Sequence, residues 1–349
     1  MCSSDLRNMD DLNNESELIN YFNKNKQPRL FNLILSGSGS RYLSFLGSLS
    51  FFQSIYKNFN NSNLGLVICS SGGSFIGLLL CLGYKINDIK NLLLNIGYND
   101  IKNINIMNLF TKYGIDEGNK IIDILKKLIY NKLGNENATF KDLYDIKGNH
   151  LIITGSCINT YKIEYFDHFL YPDLELWKAV RISISIPLYF TACPLGEKIF
   201  CDGAILDYFP INPIKMYKSE ISENDVIIGI RLKDPRDEND IRPINSFQDY
   251  LINVISCFIT TIEKLRNDKL LENEIHNNFV NENNLYIIPL VTHSSGYTLE
   301  LDENNRKQLF DESFQFTKKH FINKYKKLYE KDLTHEVCRN ICLDIIDDI

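Results

Sequence analysis

The sequence predicts an α/β fold: a mainly parallel central sheet covered by helices on both faces, with further helices added. Two stretches carry this. "RLFNLILS" (29–36) is a short apolar run that ends in "GSGS" and is followed by "YLSFLGSLSFFQSIYK", whose apolar residues recur at helical spacing. "LGLVIC" (64–69) followed by "SSGGSFIGLLLCL" repeats the strand–turn–helix pattern. The span from Leu64 to Tyr84 is uncharged and long enough for a bilayer, which takes roughly 20 apolar residues. Its centre is Ser-Ser-Gly-Gly-Ser, however, and each glycine costs a helix about 1 kcal/mol relative to alanine, so strand, turn and helix is the better parse.

The later elements follow in order. Residues 87–143 are helical and more polar, with "EGNKIIDILKKLIYNKL" the clearest amphipathic segment, and read as a helical insertion. "HLIITGSC" (150–157) and "TYKIEYFDH" (160–168) are strands, and "LELWKAVRISISIP" is a helix that must stop near Pro187. "KIFCDGAILDYFPINPI" (198–214) is a short strand, a turn and a proline-bounded segment, and "DVIIGIRL" (225–232) is a buried strand. Beyond it, "FQDYLINVISCFITTIEKL" reads as an amphipathic helix, "NLYIIPL" as a last strand and "DENNRKQLFDESFQFTKKHFINKYKKLYE" as a long charged helix. The expected organisation is a polar segment 1–28, a catalytic domain 29–232, and a mainly helical extension 233–349 packed on the same domain.

Composition narrows the function. The 349 residues are 44% hydrophobic, enough for a large core, and a net charge of −6 argues against binding a nucleic-acid backbone. Nine cysteines without CxxC pairs read as reduced thiols rather than a disulfide framework. The polar, early-acidic first 29 residues lack the pattern of a secretory signal, so the expected location is cytoplasmic.

Three turns carry the chemistry. In "SGSGSR" (36–41), Gly37 and Gly39 flank Ser38 at a strand-to-helix junction and present unobstructed backbone N–H groups. A dinucleotide loop, an oxyanion hole and a plain tight turn all fit it, although the third glycine of the dinucleotide pattern is absent. "CSSGGS" (69–74) has the shape of a nucleophile elbow, which needs small residues around its serine. Centring on Ser70 or Ser74 puts Ile68 or Ile76 at a flanking position, so Ser71 is the best register, with Cys69 at the first small position. The alternative is a set of small residues where a helix packs closely on the sheet.

A serine hydroxyl needs a base. Asp202, before Gly203 in "FCDGAILDYFPI", is one candidate, with a plain Asp-Gly surface turn as the alternative, and Asp207 reads as a capping or turn residue. A histidine triad is the other route: His293 in "LVTHSSG" is best positioned, His276 and His320 sit on charged helices, and His150 and His168 lie at strand ends. No metal-ligand spacing appears among them.

Taken together, "SGSGSR", "CSSGGS", "SISIPLYF" (183–190) and "CDGAILDYFP" (201–210) resemble the patatin-like phospholipase family in type and order, over about residues 30–232. That resemblance implies a patatin-like three-layer sandwich and a lipid acyl hydrolase that cleaves carboxylic esters. It implies Ser71 as nucleophile and Asp202 as base in a dyad without histidine, and Gly37, Ser38, Gly39, Ser40 and Gly72 around the oxyanion. Arg41 matches the loop's basic position, fixing its shape or facing lipid phosphate. No cofactor is required, calcium being an accessory at most, and the expected partners are a lipid or acyl-ester substrate and peripherally a membrane surface. "YLINVISCFITTIEKL" offers an apolar face to either membrane or core. Three positions depart from the family pattern: Ser38 and Tyr42 replace glycines of the loop, and Cys69 replaces the first glycine of the elbow, where a side chain predicts crowding. A catalytically silent lipid- or partner-binding protein of the same fold, and an esterase using His293, are the rival readings.

Overall fold

The computed structural model describes residues 28–233, 241, 244–266, 284–292 and 301–346, without the side chains of 98, 247–248, 266 and 325–346. Strand β1 (Phe31–Leu35) leads through the glycine-rich turn into α1 (Leu43–Ile55), and β2 (Leu64–Cys69) into α2 (Gly72–Cys81). The insertion comprises α3 (Ile86–Asn95), α4 (Tyr98–Ile101), α5 (Asn108–Lys112), β3 (Gly114–Asp116), α6 (Asn119–Leu133) and α7 (Phe140–Lys147). Next come β4 (His150–Cys157), β5 (Lys162–Phe166), α8 (Leu176–Ser183), β6 (Leu188–Phe190), β7 (Cys193–Leu195) and β8 (Lys198–Asp202). The described chain continues with α9 (Pro213–Met216), β9 (Val226–Lys233), α10 (Phe247–Arg266), β10 (Leu285–Val291) and α11 (Glu303–Ile346).

The main sheet has the order β10-β9-β1-β2-β4-β8-β7, with β5 also on β4. Its pairs from β10 to β4 are parallel, and β5, β8 and β7 are added antiparallel. Successive residues of the central strands enter different cores, as two buried faces require. Leu33, Leu35, Val67 and Cys69 join the larger cluster, with the phenylalanines of α1; Ile34, Leu66 and Ile68 join a smaller one with Phe209, Ile211 and Ile214. That second face is covered near β1 and β2 by the proline-bounded segment around α9.

Helix α11 packs along α1, where a Cβ on Gly47 would collide with the Phe310 carbonyl, so glycine permits the close approach. Among the described residues no helix is long and apolar enough to cross a membrane, and the uncharged span from Leu64 divides into β2 and α2. Strands β3, β6 and β7 have three residues each, too few for an alternating pattern to register in sequence. Helix α8 ends at Ser183, ahead of Pro187, whose ring disfavours helical angles at Ile186.

At the start of β4, remote from the β2–α2 turn, His150 lies buried between Glu220, 2.9 Å from Nδ1, and Asp167, 3.5 Å from Nε2. Tyr217 donates to the same Asp167 carboxylate, and the His168 ring packs edge-on to His150. Burial lowers the His150 pKa, but the bonds to Asp167 and Glu220 outweigh it and hold the imidazole above its ordinary 6.5. Burial likewise pushes Asp167 up, and His150 and Tyr217 outweigh it, so Asp167 stays below its ordinary value. The His150 contribution to stability is therefore complete below pH 6.5 and is lost as pH rises through the raised folded value. Asp167 acts at the opposite end, its contribution being lost only as pH falls through its lowered value. Urea unfolding midpoints should fall as pH rises above 6.5 in the wild type and fall less in His150→Asn.

Candidate active site

Two strand ends meet head-on. β5 pairs with Ile153–Cys157 and β8 with Gly155–Cys157, so these two strands occupy opposite edges of β4. Ile153 also pairs with Cys69, which puts β2 on the edge that β8 takes over. β2 runs parallel to β4 and ends at Cys69 opposite Ile153; β8 runs antiparallel and ends at Asp202 opposite Gly155. Thr154 lies between, and its hydroxyl donates to Ser70 Oγ at 2.9 Å.

This geometry separates the three serines. Ser70 Oγ accepts from Thr154, and Ser74 Oγ donates back to the Ser71 carbonyl at 2.5 Å. Ser71 Oγ donates to Asp202 Oδ2 at 2.7 Å, with both residues buried. Ser71 has φ +50° and ψ −128°, a sterically costly conformation held by the flanking hydrogen bonds. Its N–H donates to Ser183 Oγ at 2.9 Å, and Gly73 N donates to the Ser70 carbonyl at 2.9 Å. Gly72 and Gly73 have no room for a Cβ, which would meet Ser38 Oγ at the first and the Ser36 carbonyl at 2.6 Å at the second.

Asp202 is 3% exposed, and burial pushes its carboxyl up to about 7, against the opposing hydrogen bonds from Ser71 and the Ala204 amide. Ala204 N donates to Oδ1 at 2.8 Å, leaving Oδ2 for Ser71, and Asp202 N donates to the Ser185 carbonyl at 2.8 Å. Ser183 thus holds one partner and Ser185 the other. Ser185 Oγ bonds the buried Arg181, which also donates to the carbonyls of Glu117 and Thr191 at 3.0 and 3.2 Å. Spacing alone gave these supports no signal beyond the place of "SISIP" among the matched motifs.

The glycine-rich turn divides by use. Gly37 N donates to the Tyr208 carbonyl at 2.8 Å, and a Gly37 Cβ would come within 2.9 Å of Ala204 and Tyr208. Gly37 therefore spaces the loop, and its amide, expected among the oxyanion donors, is engaged with the Tyr208 carbonyl. Among the described residues, no acceptor meets the amides of Ser38, Gly39 or Gly72, the last at the N-terminus of α2. Ser40 lies beside them along the cavity wall. Arg41 is buried and donates from Nη1 to the Lys233 carbonyl at 2.8 Å, tying the loop to the end of β9.

Two cavities converge on Ser71, which together with Gly39 and Ile186 lines both. The larger, about 160 Å³, runs among Phe75, Ile96, Ile121, Ile124, Ile184, Tyr189 and Phe190. The smaller, about 80 Å³, contains Asp202, Arg41 and Tyr208 and is walled by Ile252, Ile255 and Ile259 of α10. The apolar face of that helix thus lines the site. Arg306 of α11, read in sequence only as part of a charged helix, lines the larger cavity and donates to the Leu93 carbonyl at 2.9 Å and to that of Ile96, closing the C-terminal end of α3. Tyr42 meets Arg306 on the same wall, burial raising its pKa against the pull of the guanidinium.

Asp207 is buried and accepts from the Tyr165 hydroxyl at 2.7 Å, apart from the Ser71–Asp202 pair. His150 and His168 belong to the cluster at the other end of β4, and His320 stacks on Phe316 of its own helix. His276 and His293 lie outside the described residues. Among the described residues no cluster of His, Cys, Asp and Glu is arranged to hold a metal.

A serine on a strained strand–helix turn, bonded to a buried carboxylate at the strand ends of a mainly parallel sheet, marks an α/β protein of layered build. A family model described as patatin-like phospholipase matches residues 33–214, a little over half of the chain. The chain belongs to that family. It is 26% identical over 241 residues to uncharacterized protein R571 of Acanthamoeba polyphaga mimivirus, covering 66% of this chain and 76% of that protein. It is 27% identical over 205 residues to probable lipid hydrolase 463L of Invertebrate iridescent virus 6, covering 57% and 68%. Among solved structures, VipD of Legionella pneumophila has a TM-score of 0.48 at 15% identity, covering 85% of this chain and 67% of that one. ExoU in complex with SpcU of Pseudomonas aeruginosa has a TM-score of 0.44 at 15% identity, and this chain spans about half of its length, 52%.

Cys69 does not crowd the elbow. Its Sγ lies over Gly77 of α2, in the space a Cβ there would fill, and burial raises its thiol pKa well above the ordinary range. Gly77→Ala should destabilise the fold by about 1–3 kcal/mol through overpacking. Adding Cys69→Ala should restore most of that loss, as read from denaturant midpoints in a double-mutant cycle.

Proposed function

We propose that the protein is a lipid acyl hydrolase in which Ser71 is the nucleophile and Asp202 its base. One observation carries the reading: the 2.7 Å hydrogen bond from Ser71 Oγ to a buried carboxylate whose pKa lies at about 7. A base is most effective when its pKa is near the working pH, and a carboxylate in water, near 4, would be too weak. The desolvation that raises Asp202 therefore suits it to the task.

In the proposed cycle, Ser71 Oγ attacks the ester carbonyl as its proton passes to Asp202 Oδ2. The carbonyl oxygen, now negative, takes hydrogen bonds from the amides of Ser38, Gly39 and Gly72, with Ser40 flanking them; one such donor is typically worth about 3–4 kcal/mol to the transition state. Collapse breaks the ester bond, and Asp202 returns the proton to the departing alcohol, leaving Ser71 acylated. Water, deprotonated by Asp202, then releases the acid and regenerates the serine. Arg41 holds the loop in shape from behind.

The two cavities fit the two halves of an ester. Asp202 lines only the smaller one, so the alcohol it protonates leaves through that side. The acyl chain then occupies the larger, which is walled by aliphatic and aromatic side chains.

Ser71→Ala and Asp202→Asn should each lower hydrolysis of a soluble ester by about 10⁴-fold or more, and a fluorophosphonate should label the wild type but not Ser71→Ala. Labelling that persists in Ser71→Ala would sink the assignment. Because Asp202 must be deprotonated to act, kcat/KM should climb with pH and level off above about 7. Ile124→Trp, which narrows the larger cavity, should shift preference toward shorter acyl chains in a series of p-nitrophenyl esters.

A further inference from the structure

The larger cavity is bordered by residues on both sides of a projecting loop. Ile101 and Lys102 line it, and so does Asp116; the chain between them leaves the body and returns. Its base is pinned, Asn103 N donating to Asp116 Oδ2 at 2.6 Å and Asn105 N to the Ile115 carbonyl at 2.7 Å. Asn108, the buried first residue of α5, donates to Glu117 at 3.1 Å, and Lys112 pairs with the same carboxylate at 2.8 Å. Large apolar side chains cluster on the outside of this loop: Ile106 is 67% exposed, Met107 69%, Phe110 75% and Tyr113 63%. Leu188, paired with Gly114 across β3 and β6, adds another exposed apolar side chain beside them.

Four large apolar side chains within eight residues, held in water by a pinned loop, are costly unless something covers them. Their place decides what. The loop that carries them springs from the cavity wall at Ile101, Lys102 and Asp116, and a lipid chain leaving an aggregate would pass from apolar surroundings over the loop into the cavity assigned above to the acyl chain. We infer that the 103–115 loop docks the protein on a lipid surface, inserting Ile106, Met107 and Phe110 beside that cavity; this rests on the lipid-ester reading. Residues 100–120 contain three acidic and three basic side chains, so the loop region is neutral, and insertion rather than attraction to anionic headgroups drives the contact.

The test is cosedimentation with phosphatidylcholine vesicles, which reads binding without turnover, at low and high salt. The proteins are the wild type and a variant with Ile106→Ser, Met107→Ser and Phe110→Ser, both checked by thermal unfolding. The wild type should bind equally at both salt concentrations, and the variant at least about tenfold more weakly. Binding by the variant equal to the wild type, loss of binding at high salt, or no binding by the wild type would each overturn the inference. So would a wild-type dimer in sedimentation velocity that the variant abolishes without vesicle binding, since the loop would then meet a second copy of the chain. Hydrolysis of a soluble ester by a wild type that ignores vesicles overturns the docking alone. Loop-dependent vesicle binding by a protein that hydrolyses no ester overturns the enzymatic reading instead.

Discussion

The rest of the site depends on β4 having β2 along the first part of one edge and β8 along the second. Because one strand runs with β4 and the other against it, their C-terminal ends point at each other with Thr154 between them. Residues that leave a sheet at such a junction have no ladder partner ahead, and their side chains turn toward the same gap. Ser71 and Asp202, 131 positions apart in the chain, come within hydrogen-bond distance there. Thr154 closes the gap from below, bonding Ser70 and leaving no space for a side chain at Gly203.

This gap is buried, and burial accounts for the raised pKa of Asp202. An isolated carboxylate taken out of water is destabilised, and it answers by holding its proton more tightly. Two hydrogen bonds, from Ala204 N and Ser71 Oγ, offset only part of that cost. The buried serines of the 183–187 stretch complete the arrangement by taking up the Ser71 and Asp202 amides, so neither backbone donor is left unsatisfied at the junction.

Regions outside the family match complete the site. β10 extends the sheet beyond β9, α10 walls the cavity on the Asp202 side, and α11 both covers α1 and sends Arg306 onto the wall of the larger cavity. The insertion supplies the other wall through α3 and α6. The cavity walls therefore come largely from helices added to the sheet, whereas Ser71 and Asp202 sit at its strand ends.

The sequence by itself determined the local units: two strand–turn–helix segments, the helical insertion, the later strands at His150 and Val226, and Ser71 as the best-fitting elbow serine. These were legible because hydrophobic period and the need for small residues at a sharp turn are properties of neighbours in the chain. Residue spacing alone left Asp202 level with an ordinary Asp-Gly turn, and only the company of the other motifs raised it. Only the tertiary structure decided that Gly37 spends its amide on Tyr208, that Cys69 packs into the hollow at Gly77, and that an amphipathic helix lines a cavity. Each of these turns on an atom supplied from elsewhere in the fold, and neither composition nor period encodes which distant atom that is.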